Sequence, residues 1–220
     1  MPSRAARAAL RTAGALALAV LGAALPVLLL VHFPPYTRAL VLAVDAPGLS
    51  GLSPQAAVRT AEEVRRVAAG APEGGLPGTV EGRRGFGERE REHLADVRDL
   101  VAVARGAALA AILGAAVWWA AARRSGREEV AAAARSAGWL LLGVTGLAAL
   151  VGLADFGRLF ERFHDVLFAP GTWMFPYDSL LVRLFPGPFW AVSAAAWGGL
   201  SAASGLALLI SGRRQRTEQV

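Results

Sequence analysis

The 220-residue sequence contains no cysteine and no lysine; all 23 of its basic residues are arginine. The first absence excludes a disulfide framework, a cysteine-ligated zinc and a thiol nucleophile. The second excludes a Schiff-base lysine, and otherwise reads as GC-rich coding. Histidine is scarce, with three in the chain (His32, His93 and His164) and no HExxH or HxH spacing among them. The familiar zinc patterns are therefore missing. Charged residues make up 18% of the chain, short of the ~25% of a soluble domain.

Apolar residues fill the gap. They reach 55% of the sequence, and the mean hydropathy is +0.43. Both values belong to a membrane protein. Four segments, 12–33, 100–122, 136–154 and 188–211, approach or exceed the ~20 residues a bilayer-crossing helix needs. The first follows Arg4, Arg7 and Arg11 and so resembles a signal peptide. Its apolar run exceeds the ~7–15 residues of a signal-peptide core, which makes it an uncleaved anchor. Pro26 inside it is tolerable in a membrane helix.

The arginines orient these spans. The N-terminal segment, residues 123–135 and the C-terminal segment together carry ten Arg against three Glu. Residues 34–99 and 155–187 together carry twelve Arg against fourteen acids. Positive segments stay cytoplasmic, so both termini are expected inside and the two near-neutral segments outside. The net charge of +6 is a signature of topology and calls for no nucleic acid. The expected fold is an all-α integral membrane protein in one membrane domain, 1–220. It has four transmembrane helices, an outer segment 34–99 and an outer aromatic loop 155–187.

Within 34–99, Ser53-Pro54 followed by Ala57, Ala61, Val64 and Ala68 predicts a capped amphipathic helix ending near Gly70. Its apolar stripe is expected to cover the membrane surface or the ends of the spans. The run "GAPEGGLPG" breaks the chain. After it, "FGEREREHLADVRDLV" resumes helical spacing and enters the second span, with His93, Asp96 and Leu100 on one face. Glu88, Glu90 and Glu92, interleaved with Arg89 and Arg91, read as a solvated helix surface. Arg105, about a turn inside the span, reads equally as a snorkelling anchor or as a partner for an acidic group.

The second outer segment holds His164 and a concentration of rings. Of 17 aromatic residues, ten lie between Phe156 and Trp190. An interfacial aromatic belt accounts for many of them, whereas the alternation of rings and charges suits a lipid-shaped pocket. His32, at the end of a span, is an ordinary interfacial ring. His93 and His164 both fall at the outer boundary beside carboxylates, namely Asp96 for the first and Asp165 and Asp178 for the second. Two such histidines suit shared proton transfer. A zinc hydrolase and a non-enzymatic four-span scaffold or lipid sensor are the competing readings. Ser179 lies close by but has no nucleophile-elbow motif.

These residues resemble the bacterial lipoprotein intramolecular transacylase (Lit) family. The pattern is carried by Glu90, His93, Asp96, Val97 and Arg98, then by Phe163, His164 and Phe168. It continues with Trp173 and Phe175, then Asp178, Leu180, Leu181, Phe185 and Pro186. The resemblance implies an enzyme of the cell membrane, working on its extracytoplasmic side upon diacylated bacterial lipoproteins among membrane lipid. It would move the sn-2 acyl chain of a diacylglyceryl-cysteine to the α-amine of that cysteine. The substrate brings its own nucleophile, so no metal, cofactor or nucleophilic side chain is called for. The catalytic set expected from it is His93, His164 and Asp96. Arg98, Trp173, Phe175, Asp178 and Phe168 are expected to hold substrate.

Overall fold

A computed structural model describes residues 3–125 and 127–217. The side chains of Arg124, Arg127, Arg214 and Arg216, and residue Glu218, lie outside the described residues although they enter the charge asymmetry above. In chain order the elements are α1 (Arg4–His32), α2 (Pro34–Ala43), α3 (Ala46–Ser50), α4 (Pro54–Ala68) and a 3-10 turn (Glu73–Gly75). A hairpin of β1 (Thr79–Val80) and β2 (Arg83–Arg84) follows. Then come α5 (Glu88–Ser125), α6 (Arg127–Ala154), α7 (Phe156–Leu167), α8 (Leu180–Leu184) and α9 (Gly187–Thr217).

Among the described residues four helices, α1, α5, α6 and α9, are long and apolar enough to cross a membrane. They coincide with the four segments expected, the first of which runs one residue past α1. The 38 residues of α5 extend about 57 Å at ~1.5 Å per residue, well beyond a hydrocarbon core of ~30 Å. Eight of the twelve residues 88–99 are charged, so its first three turns stand outside the apolar span.

The chain divides into two compact units, of which the first comprises Met1–Val27, Ala104–Leu150 and Ala196–Val220. Its core gathers Ala15, Ala19, Trp118, Ala122, Ala133, Ala137 and Leu141. Small residues let the helices approach closely, as expected where lipid supplies no hydrophobic drive. A Cβ on Gly138 would lie 2.7 Å from the Gly205 carbonyl oxygen. Trp197 donates its indole N–H to the Ala23 carbonyl at 3.0 Å. Leu113, Val117 and Leu150 are exposed, as befits lipid-facing positions.

The second unit, Leu28–Val103 and Val151–Ala195, contains every candidate site residue. Ser53 caps α4 by accepting from the Ala56 N–H at 3.2 Å, with Pro54 in the first turn. Glu81, in the hairpin, then accepts from both the Ser53 N–H (2.8 Å) and its hydroxyl (2.6 Å). The stripe Ala57, Ala61 and Val64 is buried, and of the two coverings expected it takes the ends of the spans, sharing a core with Leu94 of α5 and Phe189 of α9. It packs into a protein core with Leu40, Val41, Ala46, Phe86, Leu94, Leu184 and Phe185. The reason is that α2 lies against α4 and α8 supplies apolar side chains from more than a hundred residues away.

The segment 155–187 is also more ordered than a loop. Asp155 accepts from the Arg158 N–H at 3.0 Å and starts α7. Along α7, Phe156, Leu159, Phe160 and Phe163 share one side by i, i+3, i+4, i+7 spacing.

Candidate active site

The first turn of α5 is built by its own acidic residue. Gly87 precedes the helix and donates its N–H to Glu90 Oε2 at 2.7 Å, the carboxylate half of a capping box. The other carboxylate oxygen, Oε1, accepts from the hydroxyl of Ser179, just ahead of α8. Glu90 is therefore buried, at 8% exposure, where an interleaved charge run had predicted a solvated surface. Its neighbours are engaged too. Arg89 donates to the carbonyls of Gly171 (2.9 Å) and Met174 (3.3 Å) and lies 5.8 Å over the Phe175 ring. Arg91 donates to the Glu73 and Phe86 carbonyls. Alternating charge hid these partners because they come from other segments.

One turn beyond Glu90 on the same face, His93 is buried at 8% exposure, matching His164 at 8%. The two imidazoles stack with centroids 6.3 Å apart and planes inclined by 28°. Aromatic rings enclose them. Phe168 and Phe175 lie 4.8 and 5.5 Å from the His93 ring. Phe160, Trp173 and Phe168 lie 4.0, 4.9 and 5.4 Å from that of His164.

His164 sits in the last turn of α7 and its Nδ1 lies 2.8 Å from the Phe160 carbonyl oxygen. A carbonyl only accepts, so Nδ1 carries the hydrogen and Nε2 presents the lone pair. Burial lowers the pKa of this ring from its ordinary 6.5, against the opposing pull of the Phe160 carbonyl and of Asp165. The neutral imidazole can thus accept a proton at Nε2. His93 Nδ1 is buried and has no protein partner.

Of the residues expected from the sequence, the structure brings together His93, His164, Phe168, Trp173 and Phe175. The carboxylates act on the rings through charge, Asp96 on His93 and Asp165 on His164, each opposing the effect of burial. Asp96 and Asp178 are exposed, and no hydrogen bond ties either to a histidine among the described residues. Arg98 is engaged by Glu73 and by Asp99, the latter at 3.1 Å. Sequence reasoning placed Glu90 in the family pattern but read its charge run as solvated, and so missed its part in holding the site together. The available signal was its place, three residues after Gly87 and three before His93. Among the described residues no three His, Cys, Asp or Glu side chains gather into a metal-holding group.

Comparison with known proteins agrees with this architecture. Residues 77–190 match the sequence pattern of the family described as lipoprotein intramolecular transacylase Lit. An uncharacterised protein of Aquifex aeolicus (strain VF5) is 32% identical over 63 residues, a stretch covering 29% of each chain. The match thus spans under a third of that relative's length. Among solved structures, the membrane-integral lipoprotein intramolecular transacylase Lit of Bacillus cereus superposes with a TM-score of 0.84. The two share 15% identity over 97% of both chains. A histidine-to-arginine variant of the same protein gives 0.77 at 14% identity, over 97% of this chain and 93% of the other. At such identities the superposition establishes the fold.

Proposed function

The chain belongs to the lipoprotein intramolecular transacylase family, and on that premise we propose that it transfers an acyl chain within a diacylated lipoprotein. The acyl group moves from the sn-2 oxygen of the diacylglyceryl-cysteine to the α-amine of the same cysteine, leaving a lyso-form product. One observation carries the assignment to this site: two buried histidines stacked 6.3 Å apart in an aromatic enclosure. The reaction needs an acid, a base and a place for acyl chains.

The steps balance with one proton moved. The amine nitrogen gives a proton to a base and bonds to the ester carbonyl carbon. The tetrahedral intermediate then collapses, breaking the bond to the glycerol oxygen, which takes up a proton. The tautomer held by the Phe160 carbonyl suits Nε2 of His164 to the role of base. His164 then carries that proton and can return it to the departing oxygen. Burial, which lowers the His93 pKa to about 4, keeps the neighbouring ring neutral as a hydrogen-bonding partner. Holding amine and ester in one molecule provides much of the rate through proximity. Phe160, Phe168, Phe175 and Trp173 form the wall for acyl chains. Asp96, Asp178 and Arg98 contribute to the electrostatic setting and to substrate approach from their exposed or paired positions.

The charge asymmetry supports an orientation in the cell membrane with both termini cytoplasmic and this site on the outer side. Because the chain has no cysteine, Thr172→Cys and Ser3→Cys each introduce a single thiol. Labelling by an impermeant maleimide is expected for the first and not for the second in intact cells; the reverse pattern refutes the orientation.

The activity is tested by mass spectrometry of lipoprotein N-termini from cells expressing the protein. Wild type is expected to convert diacyl to lyso-form. His93→Ala and His164→Ala, expressed at equal level, are each expected to lose at least ~10²-fold in rate. Wild-type conversion by both variants would sink the scheme.

A further inference from the structure

The transfer generates an oxyanion on the acyl carbonyl, and an oxyanion needs a preorganised donor. Phenylalanine rings in the wall offer no N–H or O–H. The guanidinium of Arg98 is engaged by Glu73 and Asp99, and that of Arg89 by the Gly171 and Met174 carbonyls.

The indole N–H of Trp173 is different. It is buried and has no protein acceptor, although an indole nitrogen only donates and an unmet buried donor is costly. The contrast with other tryptophans is informative. Trp190 donates to the Phe185 carbonyl at 2.9 Å and Trp197 to that of Ala23 at 3.0 Å. Trp118 also lacks an acceptor, but its ring fills the space over Gly14, where a Cβ would come within 2.1 Å of it, in an apolar helix interface. Packing accounts for Trp118. Trp173 instead lies beside the histidines, its ring 4.9 Å from the His164 ring and 6.4 Å from that of Phe160. The buried and unpartnered Nδ1 of His93 belongs to the ring stacked on His164. A donor and an imidazole nitrogen, both without protein partners, therefore flank one histidine.

We infer that Trp173 is a catalytic residue whose indole N–H donates to the carbonyl oxygen of the acyl group in transit. This rests on the transacylase reading. As the amine nitrogen bonds to the carbonyl carbon, the π electrons move onto that oxygen and its bond to the Trp173 hydrogen strengthens. When the carbon–oxygen bond to glycerol breaks, the electrons return and an amide remains.

The test uses the full-length protein in detergent or proteoliposomes with a synthetic diacylglyceryl-cysteine lipopeptide, read by single-turnover mass spectrometry. Trp173→Phe is expected to slow the chemical step by ~10²-fold, with half-saturation within ~3-fold of wild type. A benzothienylalanine at position 173, which replaces only the N–H by sulfur, is expected to do the same at unchanged melting temperature. A rate within twofold of wild type for the benzothienyl protein overturns the inference. His93→Ala and His164→Ala are run alongside. If they are inactive while the position-173 variants are normal, only the role of Trp173 fails. If the wild-type protein itself gives no transfer, the transacylase reading fails with it.

Discussion

Glu90 and Ser179 are joined by a hydrogen bond across 89 residues of chain. It fastens the aromatic segment to the helix that carries His93. The same carboxylate holds the Gly87 N–H, so one buried side chain both starts α5 and anchors the segment leading into α8. The face shared by Glu90 and His93 is thereby fixed next to the rings that line the histidines.

Removing that link has a measurable signature. Glu90→Ala leaves the part-buried Gly87 N–H and Ser179 hydroxyl without their acceptor and is expected to cost about 1–3 kcal/mol of stability. In a double-mutant cycle with Ser179→Ala, thermal unfolding in detergent is expected to give a coupling of roughly 0.5–3 kcal/mol. Additive losses would mean the bond contributes nothing.

The depressed pKa of His164 sets a pH profile. The folded ring takes its proton only below the ordinary 6.5, so Nε2 is still unprotonated when pH falls to that value. Corrected for the fraction of substrate whose α-amine, with an ordinary pKa of ~7.7–8.0, is unprotonated, the rate is expected to stay level from pH 8 through 6.5 and to decline below it. Stability follows with the same sign. Between the unfolded pKa and the lower folded one the unfolded chain binds more protons, so stability is full above 6.5 and is lost as pH falls through that window. A profile that, after correction for the substrate amine, still turns above 6.5 would contradict this.

Arg89 holds the segment 171–174 by two backbone carbonyls and overlies Phe175. Because these contacts are exposed, Arg89→Ala is expected to change global stability by less than ~1 kcal/mol. Its effect is local, with faster amide exchange and proteolysis across residues 169–178. Unchanged exchange there would show that the segment stands without the arginine.

The pair formed by Arg98 and Glu73 separates two roles for the arginine. As a solvent-screened pair it adds little to stability, and Arg98→Ala is expected to lower the transacylation rate by less than ~10-fold. Exchanging the charges, Arg98→Glu with Glu73→Arg, is expected to restore most of what Arg98→Glu alone loses. A loss of ~10²-fold in Arg98→Ala that the exchange leaves uncorrected would place the guanidinium on the substrate instead.

Much of this molecule follows from sequence alone. Apolar length determines the spans, because a bilayer admits backbone only as satisfied helices or closed barrels. Ser53-Pro54 and the i, i+4 apolar stripe determine α4, because caps and periodicity are local. The histidines, Phe168, Trp173 and Phe175 are legible as a candidate set through scarcity, motif and ring density. Tertiary structure decided the rest. Periodicity says which residues share a face but not what that face meets, so between membrane surface and span ends only the fold chose for the α4 stripe. Charge alternation looks solvated until a distant serine or carbonyl arrives, as at Glu90 and Arg89. The stacking of His93 on His164, and the carbonyl that selects the His164 tautomer, depend on distances between elements, which no local pattern encodes.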